Sequence, residues 1–156
     1  ESQLVFMSDR RKPLYVSLTS KIGGFYGGDR NALETKVNYR LGDAFTAALT
    51  WSHNDIGLSS FAGDGLTPAS VGDFKVNVAR LRMSYSFTPK ILLQALVQYD
   101  DRSDLIATNL RFSWLQAANA GLFLVYNEVD DDSIVGAMNK RREVAIKYSR
   151  ILDVLQ

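Results

Sequence analysis

The sequence predicts an all-β fold, an antiparallel, up-and-down transmembrane β-barrel of eight strands. Three observations lead there. Apolar and polar side chains alternate with a period of two over most of the chain, aromatic residues gather at two levels along those alternating segments, and the connections between segments alternate between tight turns and longer polar loops. A period of two belongs to the extended chain, because successive strand side chains point to opposite faces.

Residues 1–12 read as an N-terminal tail or, through Gln3–Met7, a short extra strand; the barrel is expected over 13–156. In 13–25, Leu14, Val16, Leu18 and Ile22 oppose Tyr15, Ser17, Thr19 and Lys21. In 31–41, Leu33, Thr35, Val37, Tyr39 and Leu41 oppose Glu34, Lys36, Asn38 and Arg40. After Gly42-Asp43 the pattern resumes over 44–56, with Phe45, Ala47, Leu49 and Trp51 against Thr46, Ala48, Thr50 and Ser52. Over 74–88 the parity slips by one near Ala79, where Val76 and Val78 lead into Leu81, Met83 and Tyr85, and a bulge is expected to absorb it. The segments 90–101 and 104–115 alternate again, although Leu92 and Leu96 sit on the polar side. Segment 121–130 is apolar on both parities, so its faces are not assigned. The last strand, 141–153, sets Val144, Ile146, Tyr148 and Leu152 against Glu143, Lys147 and Ser149.

The turns at Leu41-Gly42-Asp43, Thr88-Pro89-Lys90 and 116–120 are short and carry turn residues, whereas 57–73 and 131–140 read as long loops. Short turns at one end and long polar loops at the other is the layout of outer-membrane barrels. Tyr39, Phe45, Tyr85, Phe87, Phe112, Trp114 and Tyr148 fall toward the tight-turn ends, and Tyr26, Trp51, Tyr99 and Tyr126 toward the loop ends, with Leu, Val, Ile and Ala between. Amphipathic rings at two membrane interfaces produce such girdles. Segments of 10–15 residues suit a tilted crossing, which needs about 9–11. No apolar run approaches the length of a membrane helix. No signal peptide opens the chain, so an exported protein is expected here in processed form.

Composition narrows the function classes. The chain has 156 residues, 46% of them apolar and 22% charged, with a net charge of +1, which gives no reason to expect nucleic acid as a partner. It contains no cysteine, excluding disulfides and thiolate metal sites.

The polar face is expected to line the lumen, with Lys21, Lys36, Arg40, Arg80, Arg82, Arg111 and Lys147 against Glu34 and Glu143. That excess of cations reads as a hydrated ion-pair network with acids leaning in, or as an anion-attracting interior if the barrel is larger. His53, with Ser52 and Asp55 nearby, is a disfavoured catalytic candidate, because Ser52 and His53 point to opposite faces of one strand. Glu128, Asp130, Asp131 and Asp132, with Asp100, Asp101 and Asp104, form an acidic rim at the loop end. A divalent cation on Asp130, Asp131 and Asp132 is a weak alternative to a solvated rim, since their spacing fits no defined calcium loop. The glycines in 23–28 are not followed by Lys-Ser/Thr or a helix, so they form no phosphate-cradling loop. No cofactor and no catalytic residue is expected.

The segments RLRMSYSFTPKILLQALVQYDDRSD (80–104), NLRFSWL (109–115) and LFLVYNE (122–128) resemble the C-terminal outer-membrane barrel region of an uncharacterised bacterial family whose longer members carry an N-terminal carbohydrate-binding-like domain. The resemblance runs in order from about 13 to 150. It implies a Gram-negative outer membrane, with lipid and lipopolysaccharide around the barrel and barrel-assembly machinery as the partner during insertion. The expected function is that of a membrane anchor or scaffold, the C-terminal part of a longer surface-associated protein, non-conducting by itself. Alternatives are an arc of a larger anion-attracting channel or transporter barrel, and a soluble β-barrel binding an apolar ligand. Oligomeric state is left open.

Overall fold

The computed structural model describes residues 1–25, 28–61, 68–117, 120–131 and 140–150. Within them the chain forms nine strands and no helix: β1 (Ser2–Met7), β2 (Leu14–Phe25), β3 (Gly28–Leu41), β4 (Phe45–Phe61), β5 (Pro68–Thr88), β6 (Ile91–Asp100), β7 (Leu105–Ala117), β8 (Ala120–Asp131) and β9 (Lys140–Arg150). All pair antiparallel with their chain neighbours in one sheet of order β1 to β9. The all-β antiparallel architecture expected from the alternation is therefore present. The sheet has two free edges, β1 and β9, rather than a closed seam, and it has nine strands rather than eight because residues 2–7 join it against Ser17–Ile22.

Two further expectations are corrected, and the facing left open in 121–130 is assigned. The slip near Ala79 does not occur: β4 and β5 keep one register from Phe45↔Tyr85 to Leu58↔Gly72, so Phe74, Val76 and Val78 lie on the polar face. The irregularities fall instead at Leu58/Ser59, Ser86/Thr88 and Leu115/Ala117, close to strand ends. The 57–73 connection is mostly strand, since Gly57 pairs Asp73 and pairing continues to Phe61↔Pro68. In β8 the register places Leu122, Leu124 and Tyr126 on the apolar face, and Phe123, Val125 and Asn127 on the polar one.

Directly opposed residues share a face, so the registers carry each face across the whole sheet. One continuous line runs Val16, Val37, Leu49, Leu81, Val97; another runs Leu41, Phe45, Tyr85, Leu93, Phe112, Leu124, Ile146. Nothing is packed on either. Among the described residues the buried apolar side chain is Ile56 and the buried polar one Ser17. The accessible surface is 11702 Å² for 17.4 kDa, against about 7,900 Å² expected of a compact soluble monomer of that mass. The described residues form a single layer, with no second sheet and no core among them, which accords with the excess.

At the tight-turn end, Gly42 holds a left-handed φ of 56° between β3 and β4. An L-residue is strained there by about 1–2 kcal/mol, although a Cβ would meet no atom within 4 Å. Gly24 has no such backbone demand, and a Cβ would sit 3.7 Å from the Gly28 carbonyl oxygen. Gly42→Ala is accordingly expected to lower the urea midpoint of refolded protein by an amount equivalent to about 1 kcal/mol. Gly24→Ala should stay within a few tenths of the unchanged chain; equal midpoints for the two variants would contradict the turn assignment.

Candidate functional site

The candidate site is the sheet itself, whose two faces differ in chemistry and in shape. All nine charged residues expected on the polar face do share one face: Lys21 and Glu34 near the loop end, Lys36 and Arg80 facing Thr50, Arg82 facing Ala48, Arg40 facing Thr46, Arg111 facing Gln94, Glu143 facing Asn127 and Lys147 facing Phe123. Hollows open on this face. One of about 390 Å³ is lined by Arg10, Tyr15, Asn38, Arg40, Thr46 and Arg82; another of about 320 Å³ by Thr19, Lys21, Glu34, Ser52 and Asn54. Two more, of about 260 and 160 Å³, are lined by Arg82, Gln94, Asn109 and Arg111, and by Gln98, Ala107, Asn109 and Asn127. The two buried side chains, Ser17 and Ile56, lie on this face as well, and most of the exposed large apolar side chains lie on the other, so the polar face is the enclosed, concave one.

Its charges are only partly matched. Lys36 Nζ lies 2.6 Å from Glu34 Oε1, an exposed pair on one strand that adds little stability. Arg80 donates from Nε and Nη2 to the Gln98 side-chain oxygen at 2.9 and 3.1 Å, with that amide turned oxygen-first toward it. Asn109 and Asn127 bond across β7 and β8. No carboxylate lies within ion-pair distance of Arg40, Arg82, Arg111 or Lys147 among the described residues. Among the described residues, the ion pair within the nine expected charges is Lys36–Glu34, and Glu143 on β9 stands two strands from Arg111 and four or more from the remaining arginines.

The convex face carries an aromatic and aliphatic band. Tyr39, Phe45, Tyr85 and Phe87 form a chain of ring contacts at the tight-turn end, with centroids 6.3, 6.2 and 4.6 Å apart. Phe112, Trp114 and Tyr148 continue this level through the registers of β6 to β9. Trp51 and Tyr99 lie level at the other boundary, both opposite Ala79. Tyr26 lies outside the described residues. The band crosses the strands obliquely: its loop-side limit passes from Ile22 on β2, level with Asp55 of β4, to Val144 on β9, level with Ala47. A fall of about eight residues over seven strand steps makes this limit run at about 40° to the direction perpendicular to the strands.

Beyond the band, toward the long loops, the same face turns polar. His53 stacks on Trp51, with centroids 6.0 Å apart, and lies 2.6 Å through Nδ1 from Asn77 Oδ1. Asn77 donates its backbone N–H at 2.7 Å and its side-chain amide to the two carboxylate oxygens of Asp101. Because the Asn77 amide nitrogen is committed to Asp101, its oxygen accepts, and His53 donates from Nδ1. Those Asn77 bonds hold the Asp101 carboxyl below its ordinary pKa. Ser52 faces the concave side and accepts from Asn54, while Asp55 pairs with Lys75 at 3.4 Å; neither meets His53. Asp100 accepts from the Arg102 backbone N–H, and Asp104 holds a left-handed φ of 47°, so both serve the β6–β7 turn.

The rim over β8 and β9 is not purely acidic. Lys140 lies 2.8 Å from Glu128 and 3.1 Å from Asp130, Arg142 lies 3.4 Å from Glu128, and Tyr126 donates to Glu128. Asp132 lies outside the described residues, and no group of three metal-ligating acids or histidines occurs among those described. Sequence reasoning missed Asn77, Lys140 and Arg142. Their only signal was parity with His53's partners and with Val144, which acquires meaning once the register is known.

Asp101 yields a pH prediction. A carboxyl whose folded pKa is depressed adds stability above its unfolded pKa and loses it as the pH falls through the folded value. Asn77→Ala removes the side-chain donor and keeps the backbone one, so the Asp101 pKa should rise toward its ordinary value, read by carboxyl-carbon NMR. The stability gap between the variant and the unchanged chain should narrow on acidification; a gap independent of pH would contradict the Asn77–Asp101 assignment.

Comparison of the chain with protein-family models, with curated proteins and with solved structures finds no match in any of the three.

Proposed function

We propose that this sheet is the wall of an outer-membrane β-barrel whose strands β2 to β9 close antiparallel, and that its function is membrane residence as an anchor or scaffold. The observation carrying this reading is which face is concave. A soluble barrel or sandwich turns its apolar face inward and leaves charge in water. Here the hollows lie on the face with Arg40, Arg82 and Arg111, while Leu49, Leu93, Leu110 and Ile146 stand uncovered on the convex side. Lipid is the medium that suits such a convex face, and the two aromatic levels bounding the band suit its interfaces. The oblique course of the band supports the same reading, since a membrane plane cuts tilted strands at an angle. An interior of side chains from eight strands leaves no open channel. The resemblance to the C-terminal barrel region of a longer bacterial family agrees with an anchoring role in a Gram-negative outer membrane, where lipid and lipopolysaccharide are the surroundings and barrel-assembly machinery the insertion partner.

A second reading draws on the two free edges and on the cations without acid partners. These strands would then be one arc of a larger barrel, completed by further strands, with a basic wall that favours anions.

The facing is testable by substitution. Leu49→Arg and Leu110→Arg put a charge on the middle of the convex band, a cost of about 2–4 kcal/mol at the bilayer midplane. Thr46→Arg adds the same group to the concave face, where it faces Arg40 rather than lipid, and should be tolerated better. Refolding into phosphatidylcholine vesicles, read by the fraction running as a compact band on unboiled gels, should fall sharply for the first two only. Equal behaviour of all three would reject the proposed facing.

A further inference from the structure

The free edges restrict how the sheet can close. Neighbouring strands alternate in direction through the whole order, so β1 and β9 run the same way and β2 and β9 run opposite ways. A seam between β1 and β9 would be parallel, whereas bacterial outer-membrane barrels have even strand numbers and antiparallel seams. Copies arranged around an axis along the membrane normal meet the same obstacle, because β9 of one copy and β1 of the next also run parallel. The edge of β2 is the one that fits β9, and β1 occupies it.

β1 is a poor permanent occupant. It is six residues long and exposed along its whole length, and it covers only Ser17–Ile22 of a twelve-residue partner. It places Leu4 and Phe6 on the convex face but also Val5 and Met7 on the concave, polar one. By contrast, β9 has eleven residues, close to the length of β2, and among the described residues its outer edge has no strand partner. It also carries Val144, Ile146 and Tyr148 on the convex face, where β2 carries Leu14, Val16 and Leu18. Unpaired backbone groups are untenable in hydrocarbon. The turn after β1 is polar, with Arg11 N donating to Asp9, and Ser8 is bonded to Val16 in both directions, so release of β1 must also break the Ser8–Val16 pair.

We propose that β1 is a removable cap on the closing edge of β2, and that β9 displaces it when the sheet enters lipid. In water β1 shields part of an edge that would otherwise recruit other chains. In the bilayer, exchanging β1 for β9 closes an eight-stranded antiparallel seam and frees residues 1–7 from the sheet. This inference rests on the membrane reading of the sheet.

The absence of cysteine makes the exchange readable by introduced pairs. Val5→Cys with Thr19→Cys reports β1 on β2, since those residues are directly opposed on the concave face. Thr19→Cys with Glu143→Cys, Ala145→Cys or Lys147→Cys, tested in turn, reports β9 on β2 at the three nearest same-face registers. Each variant, with a form lacking residues 1–7, is refolded into phosphatidylcholine vesicles, floated on a density gradient and oxidised. The expected result is vesicle flotation throughout, one Thr19–β9 pair crosslinked at least tenfold more than Val5–Thr19, and normal folding of the shortened chain. A persistent Val5–Thr19 crosslink in floated protein overturns the exchange while leaving the membrane reading standing, as does loss of folding on removal of residues 1–7. Failure of the unchanged chain to float rejects the membrane reading, and the exchange with it.

Discussion

The structure hangs on the backbone ladder between consecutive strands. Among the described residues no second layer and no core reinforce it, so each strand is held in place by its neighbours' N–H and C=O groups and by the side chains directly across. The ladder also fixes the facing. With a strict period of two, a slip of one residue anywhere would carry Leu49, Leu81 and Val97 to the concave side and Arg80, Arg82 and Gln98 to the convex side. The three irregularities sit close to strand ends, where a local shift leaves the central registers intact.

Two chemistries are thereby kept apart. On the convex side, the band runs from the Tyr39–Phe45–Tyr85–Phe87 rings to Trp51 and Tyr99, and only beyond it do the Asp55–Lys75 and Glu128–Lys140–Arg142 clusters begin. Each of these clusters pairs charges across adjacent strands, as an exposed rim in water allows. On the concave side, cations alternate with small and amide side chains, which leaves room between the arginines and matches few of them with acids. The concave face also holds Phe74, Val76, Val78, Phe123 and Val125, so what separates the faces is charge: between its two aromatic levels the convex band carries no charged side chain, while the lysines and arginines lie opposite.

Much of this was legible in the sequence, because alternation over 14–22, 32–52 and 105–115 reads directly as strand with two unlike faces. The nine charged positions assigned to one face depended only on parity within each strand, and parity survives boundary errors. What was not legible depended on pairing. Val76 and Val78 are β-branched residues on the polar face, so apolar character alone suggested a slip that the register with Asn54 and Ser52 does not contain. Strand β8 is apolar on both parities, and only its pairing with Phe112 and Arg111 on β7 separates Leu124 from Val125. The Gly- and Ser-rich stretch after Ile56 reads as loop, yet the ladder carries it on as strand. The Asn77 link between His53 and Asp101 joins residues 24 apart in sequence, twice over, which no local pattern reports.

The central claim is that the convex face belongs in lipid. Its most direct test is refolding from urea with and without phosphatidylcholine vesicles, followed by far-ultraviolet circular dichroism and unboiled gel mobility. The account predicts a β spectrum and a heat-modifiable band only when vesicles are present. A soluble β-protein formed without lipid or detergent would contradict it, and would mean that the band of Leu49, Trp51, Leu110 and Phe112 is covered by protein or ligand instead.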